Sequence, residues 1–220
     1  MGLMLKSHPW HGVEIGELSP QVVTSFIEIV PTDTVKYEID KDTGYLKIDR
    51  PQRFSNVCPA LYGFLPQTFC GERVAEYSAK KSGILDITGD GDPLDICILS
   101  EKAITHGNIL IKSIPVGGFR LIDGKEADDK IIAVMKDDMI YGGYRDISDL
   151  PDKTLERLRH YFLTYKEIPG SLSGTKCRIT HVYGQDEAFE VIRRSQEDYQ
   201  NRFGDLKGML PDLLRNNEER

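Results

Sequence analysis

Long apolar runs are missing from this 220-residue chain, and nothing in it approaches the ~20 residues that span a bilayer. No apolar stretch follows the N-terminal charges, and Met1-Gly2, which opens like a myristoylation signal, has Lys6 where Ser or Thr is expected. The cytosol is therefore the expected location, and a membrane is not an expected partner. Cysteine is scarce. Cys58, Cys70, Cys97 and Cys177 form no C-x-x-C pair, which argues against a structural zinc site, and Cys97 reads as a small hydrophobe inside an apolar strand. The histidines at 8, 11, 106, 160 and 181 are scattered and read as structural rather than as ligands. Excess positive charge is also absent: the net charge of −7 argues against the broad basic field used by nucleic-acid binders, and no basic stripe is interleaved with aromatics. A local basic pocket for a small, highly charged anion remains open. No Walker A, G-x-G-x-x-G, H-E-x-x-H or G-x-S-x-G pattern occurs, so the common nucleotide-binding and hydrolase labels do not attach.

What the chain does have is Gly89-Asp90-Gly91-Asp92-Pro93-Leu94-Asp95, three carboxylates in six positions, followed directly by the apolar Ile96-Cys97-Ile98-Leu99. Anions held this close raise one another's pKa unless a cation sits among them. A second acidic group, Asp123 with Asp128 and Asp129, also falls at a strand edge. Two such loops facing each other suit Mg²⁺ ions held through carboxylates and waters. An EF-hand reading places Asp90, Asp92 and Glu101 at the first, third and twelfth positions. It fails because Leu94 and Asp95 occupy the fifth and the glycine position, and strand-like Ile98-Leu99-Ser100 fills the remainder where a helix should enter.

At 40% hydrophobic and 29% charged, residues 1–220 suit one globular domain with a core that needs no staples. Residues 1–20 read as an N-terminal arm. A first strand is expected over 22–30, and Val35–Asp40 with Tyr45–Arg50 around the Asp42-Thr43-Gly44 turn predicts a hairpin whose Lys36, Glu38 and Asp40 share one polar face. Residues 67–89 show no sustained period and read as a loop insertion. Short strands follow at 94–99, 108–114, 116–122 and 130–135, a succession that points to a barrel or meander. The period then changes: Leu155, Leu158, Phe162 and Tyr165 predict a helix over 152–166 stopped by Pro169-Gly170. A strand over 176–183 and a helix over about 186–202, with Ala188, Val191, Ile192, Ser195 and Tyr199 inward, come next. The tail 204–220 reads as a short helix and then disorder.

Asp90-Gly-Asp92-Pro-Leu-Asp95, together with Lys36-Tyr37-Glu38-Ile39-Asp40, Pro59, Tyr62-Gly63, Asp123, Asp128-x-Lys130 and Tyr165-Lys166, resembles the soluble family I inorganic pyrophosphatases. The resemblance runs from about Ile27 to Lys166, in the same order. It implies an α+β, mainly β fold: a five-stranded OB-like barrel with flanking α-helices, in one domain that forms a homo-oligomer. It also implies Mg²⁺-dependent hydrolysis of diphosphate to two phosphates. Asp90, Asp95, Asp123 and Asp128 would hold several Mg²⁺ ions, with Glu28 and Glu38 helping to place an ion or its waters. Asp92 would accept the proton of the attacking water. Lys36, Arg50, Lys130, Tyr62, Tyr165 and Lys166 would bind phosphate oxygens, Tyr62 counting also among the catalytic groups. The chain departs from the family where Cys58 and Leu61 replace a usual Tyr and Asn. The rival readings are a divalent-cation-binding module and an OB-type nucleic-acid binder without hydrolase activity.

The chemistry supports those roles independently. Water, with a pKa of ~15.7, is too protonated at neutral pH to attack a phosphoanhydride unless cations and a base assist it. Charge that develops on the leaving phosphate must be offset, and the lysines and Arg50 are suited to that.

Overall fold

The computed structural model describes residues 6–166 and 177–204. In chain order these form β1 (Val23–Ile29), β2 (Val35–Ile39), β3 (Leu46–Pro51), β4 (Leu61–Phe64), α1 (Glu72–Ser82), β5 (Thr88–Gly89), β6 (Asp95–Leu99), β7 (Ile109–Asp123), β8 (Glu126–Ala127), β9 (Lys130–Met135), α2 (Asp152–Thr164), β10 (Cys177–Gly184) and α3 (Gln185–Phe203). Five strands close into a ring. β1 pairs with β4, β4 with β6, β6 with β9, β9 with β7, and β7 returns to β1; only the β6–β9 pair is parallel. Closure leaves the ring itself no free edge, and β8 and β10 branch from it by pairing with β7. The expected OB-like barrel is thus observed, and the expected hairpin is the separate β2–β3 pair.

The strand sequences explain the barrel's place in the molecule. Ile96 and Ile98 belong to one buried cluster, while the alternate residues Cys97 and Leu99 belong to another. Ile131 and Ala133 divide from Ile132 and Val134 in the same way. Strands buried on both faces read as continuous apolar runs rather than alternating ones. One cluster takes in Ala188, Val191 and Ile192 of α3, the other Leu158 and Phe162 of α2, so the two helices cover opposite faces.

Two expectations are corrected. Residues 72–82 of the expected loop insertion form α1. Only Val74, Ala75 and Ser78 are buried from this helix, with Tyr77 partly buried against the same core, so few apolar residues mark its period. Its first turn carries no side-chain cap of its own; Asp198 of α3 accepts from the N–H groups of Gly71 (3.0 Å), Arg73 (3.1 Å) and Val74 (3.1 Å) instead. Second, the strands expected at 108–114 and 116–122 are one strand, β7, which passes Pro115 at a register shift between Pro115 and Gly117. A bulge is where a strand tolerates a residue without an N–H. Gly118 lies just beyond it, and a Cβ there would stand 2.5 Å from the ring of Tyr183 on β10. The expected N-terminal arm packs against the rest of the fold: Trp10 is 3% exposed, packs with Phe26, Phe64 and Tyr199, and donates from Nε1 to Thr68 O at 2.8 Å. The stop at Pro169-Gly170 and the tail beyond Gly204 lie outside the described residues.

Candidate active site

At one end of the barrel, the β2–β3 hairpin, the loop before β6, the β7–β8 turn, the segment leading into β9 and the C-terminal end of α2 surround a cavity of about 220 Å³. Every residue given a metal-holding, catalytic or phosphate-binding role from the sequence lines it: Glu28, Lys36, Glu38, Arg50, Tyr62, Asp90, Asp92, Asp95, Asp123, Asp128, Lys130, Tyr165 and Lys166. The acidic turn is shaped by Gly91 at φ +75°, a left-handed conformation that costs glycine little. It is pinned from beneath by Leu94, fully buried, whose N–H donates to Thr68 Oγ1 at 2.9 Å, and by Cys70 N–H donating to Asp92 O at 2.8 Å.

Most of the carboxylates hold ammonium or guanidinium groups. Lys130, 2% exposed, bridges Asp95 and Asp128; Lys41 pairs with Asp92; Lys166 donates to Asp123 at 2.5 Å. Lys36 lies 3.0 Å from Glu38 and 3.2 Å from Asp49, which also pairs with Arg50. The Tyr62 hydroxyl donates to Asp95 Oδ2 at 2.5 Å. With the lysines in these places, no three His, Cys, Asp or Glu side chains among the described residues stand together as a ready-made metal site. Among the described residues, eight carboxylates nevertheless line the cavity against five cationic side chains. Asp90 is one that no cation meets in an ion pair among those described, its Oδ1 accepting from Asp92 N–H at 2.9 Å.

The titration behaviour expresses that deficit. Burial, reinforced by Asp128, raises the pKa of Asp90 well above the ordinary carboxylate range. Burial also pushes Glu28 up to about 8, against the hydrogen bond from Ile39 N–H (2.7 Å) that favours its ionised form. Asp128 is raised by burial even beside Lys130, and burial raises Tyr62 far above the usual phenol range, with Asp95 adding to it. For Lys130 burial opposes the charge, but Asp128 and Asp95 outweigh it and the pKa rises.

A pH dependence follows for the metal-free protein. Glu28 ionises near 4.5 when unfolded and near 8 in the fold, so between those values the folded state holds a proton that the unfolded chain has released. Stability is therefore expected to fall as pH rises through this window in chelator, and the slope should shrink in Glu28→Gln. Melting temperatures of both proteins from pH 5 to 8 check this; identical slopes would show that Glu28 carries no such proton.

Sequence reasoning missed Lys41 and Asp49. Both lie in or beside the hairpin already singled out, and Asp49 directly precedes Arg50, but their partners are set by how the hairpin folds over the acidic turn. Cys58 is fully buried, its thiol donates to Ala60 O at 3.3 Å, and it does not line the cavity. Burial pushes that thiol up to about 12, so it stays protonated. Cys58→Tyr is accordingly expected to overpack the core and lower stability by ~1–3 kcal/mol without improving kcat/KM. A stable variant with a several-fold better kcat/KM would instead show that a phosphate donor is missing there.

A barrel-end cavity lined mainly by carboxylates, lysines and phenols suits a small polyanion met by cations, the setting of a phosphate-handling enzyme. The inorganic pyrophosphatase family profile matches residues 25–200, and the chain belongs to that family, whose reaction is the hydrolysis of diphosphate. It is 53% identical over 200 residues to the inorganic pyrophosphatase of Chlamydia trachomatis (90% of this chain, 96% of that one) and 54% identical over 199 residues to that of Chlamydia muridarum (89% and 95%). The crystal structure of inorganic pyrophosphatase from Thermus thermophilus superposes with a TM-score of 0.72 at 28% identity, covering 89% of this chain and 99% of that one. The non-enzymatic alternatives are not favoured.

Proposed function

We propose that this cavity hydrolyses inorganic diphosphate with Mg²⁺ held by Asp90, Asp95, Asp123, Asp128 and Glu28. The observation that carries the reading is the meeting of these carboxylates with Lys130, Lys166 and Asp92 in one cavity where acids outnumber bases. The donors fit the ion: they are all oxygen, the choice of hard cations, and among the described residues no cysteine or histidine lines the cavity. When bound, Mg²⁺ lowers the pKa of water and screens phosphate oxygens.

The side chains do the rest. Asp92 accepts the proton of the attacking water. Lys36, Arg50, Lys130, Tyr165 and Lys166 bind phosphate oxygens and offset charge as the leaving phosphate departs. Tyr62 orients Asp95 through its hydroxyl and faces the substrate, and Glu38 holds Lys36 in place. With Mg²⁺ held by these carboxylates, Lys130 and Lys166, which here pair with Asp95, Asp128 and Asp123, would be free to bind substrate oxygens.

We also infer a homo-oligomer acting in the cytoplasm, on the family resemblance; among the described residues no helix is long and apolar enough to cross a membrane. Phosphate release from diphosphate tests the proposal: Mg²⁺ should activate, Ca²⁺, larger and looser in coordination, should bind with little turnover, and chelator should abolish activity. Full activity after exhaustive chelation would refute the metal requirement.

A further inference from the structure

Asp128 and Lys130 face the cavity, so Asp129 between them points away from it, as side chains in extended backbone alternate. Asp129 is 2% exposed and enters a cluster outside the cavity. Its carboxylate accepts from Arg120 Nη2 at 3.0 Å, from Arg120 Nε at 3.4 Å and from the Tyr183 hydroxyl at 3.1 Å. Arg120, with no exposed surface, is itself held on every side. Its Nη1 donates to Glu187 of α3 at 2.9 Å, and its guanidinium lies 5.0 Å from the Tyr77 ring of α1 and 5.1 Å from the Tyr183 ring of β10. A planar fork fixed between two aromatic faces and two carboxylates has little freedom to turn.

We propose that Arg120 and Asp129 are positioning residues for the reaction: the pair anchors the 128–130 segment from behind and thereby sets where Asp128 and Lys130 stand in the metal cavity. The inference rests on the metal reading above. Groups that orient metal ligands from behind change metal affinity by ~10–100-fold when removed, and displacements of ~1 Å in a site can cost ~10²-fold in rate. Helices α1 and α3, none of whose residues line the cavity, meet this pair through Tyr77 and Glu187. The absence of a Cβ at Gly118 is what lets Tyr183 close the arrangement.

Two variants separate positioning from simple stability. Asp129→Asn keeps the shape and loses the charge. Arg120→Met with Asp129→Leu removes both buried charges, a replacement that often leaves stability intact or improved. The readout is the Mg²⁺ concentration that gives half of the metal-induced rise in melting temperature, without substrate, alongside the Mg²⁺ midpoint for phosphate release. Both variants are expected to need ~10-fold or more Mg²⁺ than the parent. Asp198→Ala, which uncaps α1, should lower the melting temperature with no change in the midpoint. If Asp129→Asn, or a folded double variant, keeps the parental midpoint, the inference is overturned while the metal reading stands. A parent protein with no response to Mg²⁺ in either assay would overturn both.

Discussion

Asp92→Asn is expected to fold and to bind divalent cations nearly as the parent does, while hydrolysing diphosphate on the order of 10²-fold more slowly or worse, the usual worth of a general base. Asp92 lies between Asp90 and Asp95 in sequence but differs from them in setting. Its side chain is 46% exposed, and its cationic partner is Lys41, itself on the rim, rather than the buried Lys130 that bridges Asp95 and Asp128. Asparagine preserves its shape and one acceptor oxygen but cannot take up a proton. The loss should therefore fall on kcat more than on the Mg²⁺ midpoint. Steady-state kinetics across Mg²⁺ concentrations decides it: a variant with a near-parental rate at neutral pH removes Asp92 from the role of base.

Lys130→Met should have its largest effect on stability, and the size should depend on the metal. Lys130 is almost fully buried between Asp95 and Asp128, and removing it leaves two carboxylates facing each other without a counter-charge. Breaking a buried pair in this way costs ~3–5 kcal/mol, because an uncompensated charge remains behind. Methionine fills the space of the lysine stem, so lost packing is a small part of the change. A divalent cation supplies the missing charge, and saturating Mg²⁺ should recover much of the stability. Diphosphate affinity should stay impaired if, as proposed, Lys130 also binds phosphate oxygens. Denaturant unfolding in chelator and in Mg²⁺ checks the dependence: the same loss in both would make Lys130 a packing element rather than a stand-in for the cation.

The barrel was legible because its strands carry local signals. Ile96 to Leu99 and Ile131 to Val134 are apolar at consecutive positions because both of their faces are buried, and the Asp42-Thr43-Gly44 turn marks the hairpin. Helix α1 was not legible. Its buried side chains are small, and its cap, Asp198, comes from the far end of the chain, so no window around residues 72–82 contains the groups that make it a helix. β7 was read as two strands because Pro115 resembles a break, and its tolerance depends on a bulge that only the facing β9 defines. The candidate site was legible as a set of residues, since the acidic turn and the hairpin both announce themselves through charge spacing. What the sequence withheld is the pairing within the set. That Lys130 bridges Asp95 and Asp128, that Lys41 meets Asp92, and that Asp129 turns its back on the cavity toward Arg120 all arise from how three distant loops fold over one barrel end.

The claim that the carboxylates of this cavity hold divalent cations is tested most directly by anomalous diffraction from crystals soaked in Mn²⁺, which takes the same oxygen ligands as Mg²⁺. The account predicts anomalous peaks inside the cavity, contacted by Asp90, Asp95 and Asp128, with the Lys130 ammonium displaced from its bridge between the last two. Peaks confined to the outer surface, or an empty cavity with Lys130 still joining Asp95 to Asp128 at saturating Mn²⁺, would contradict it.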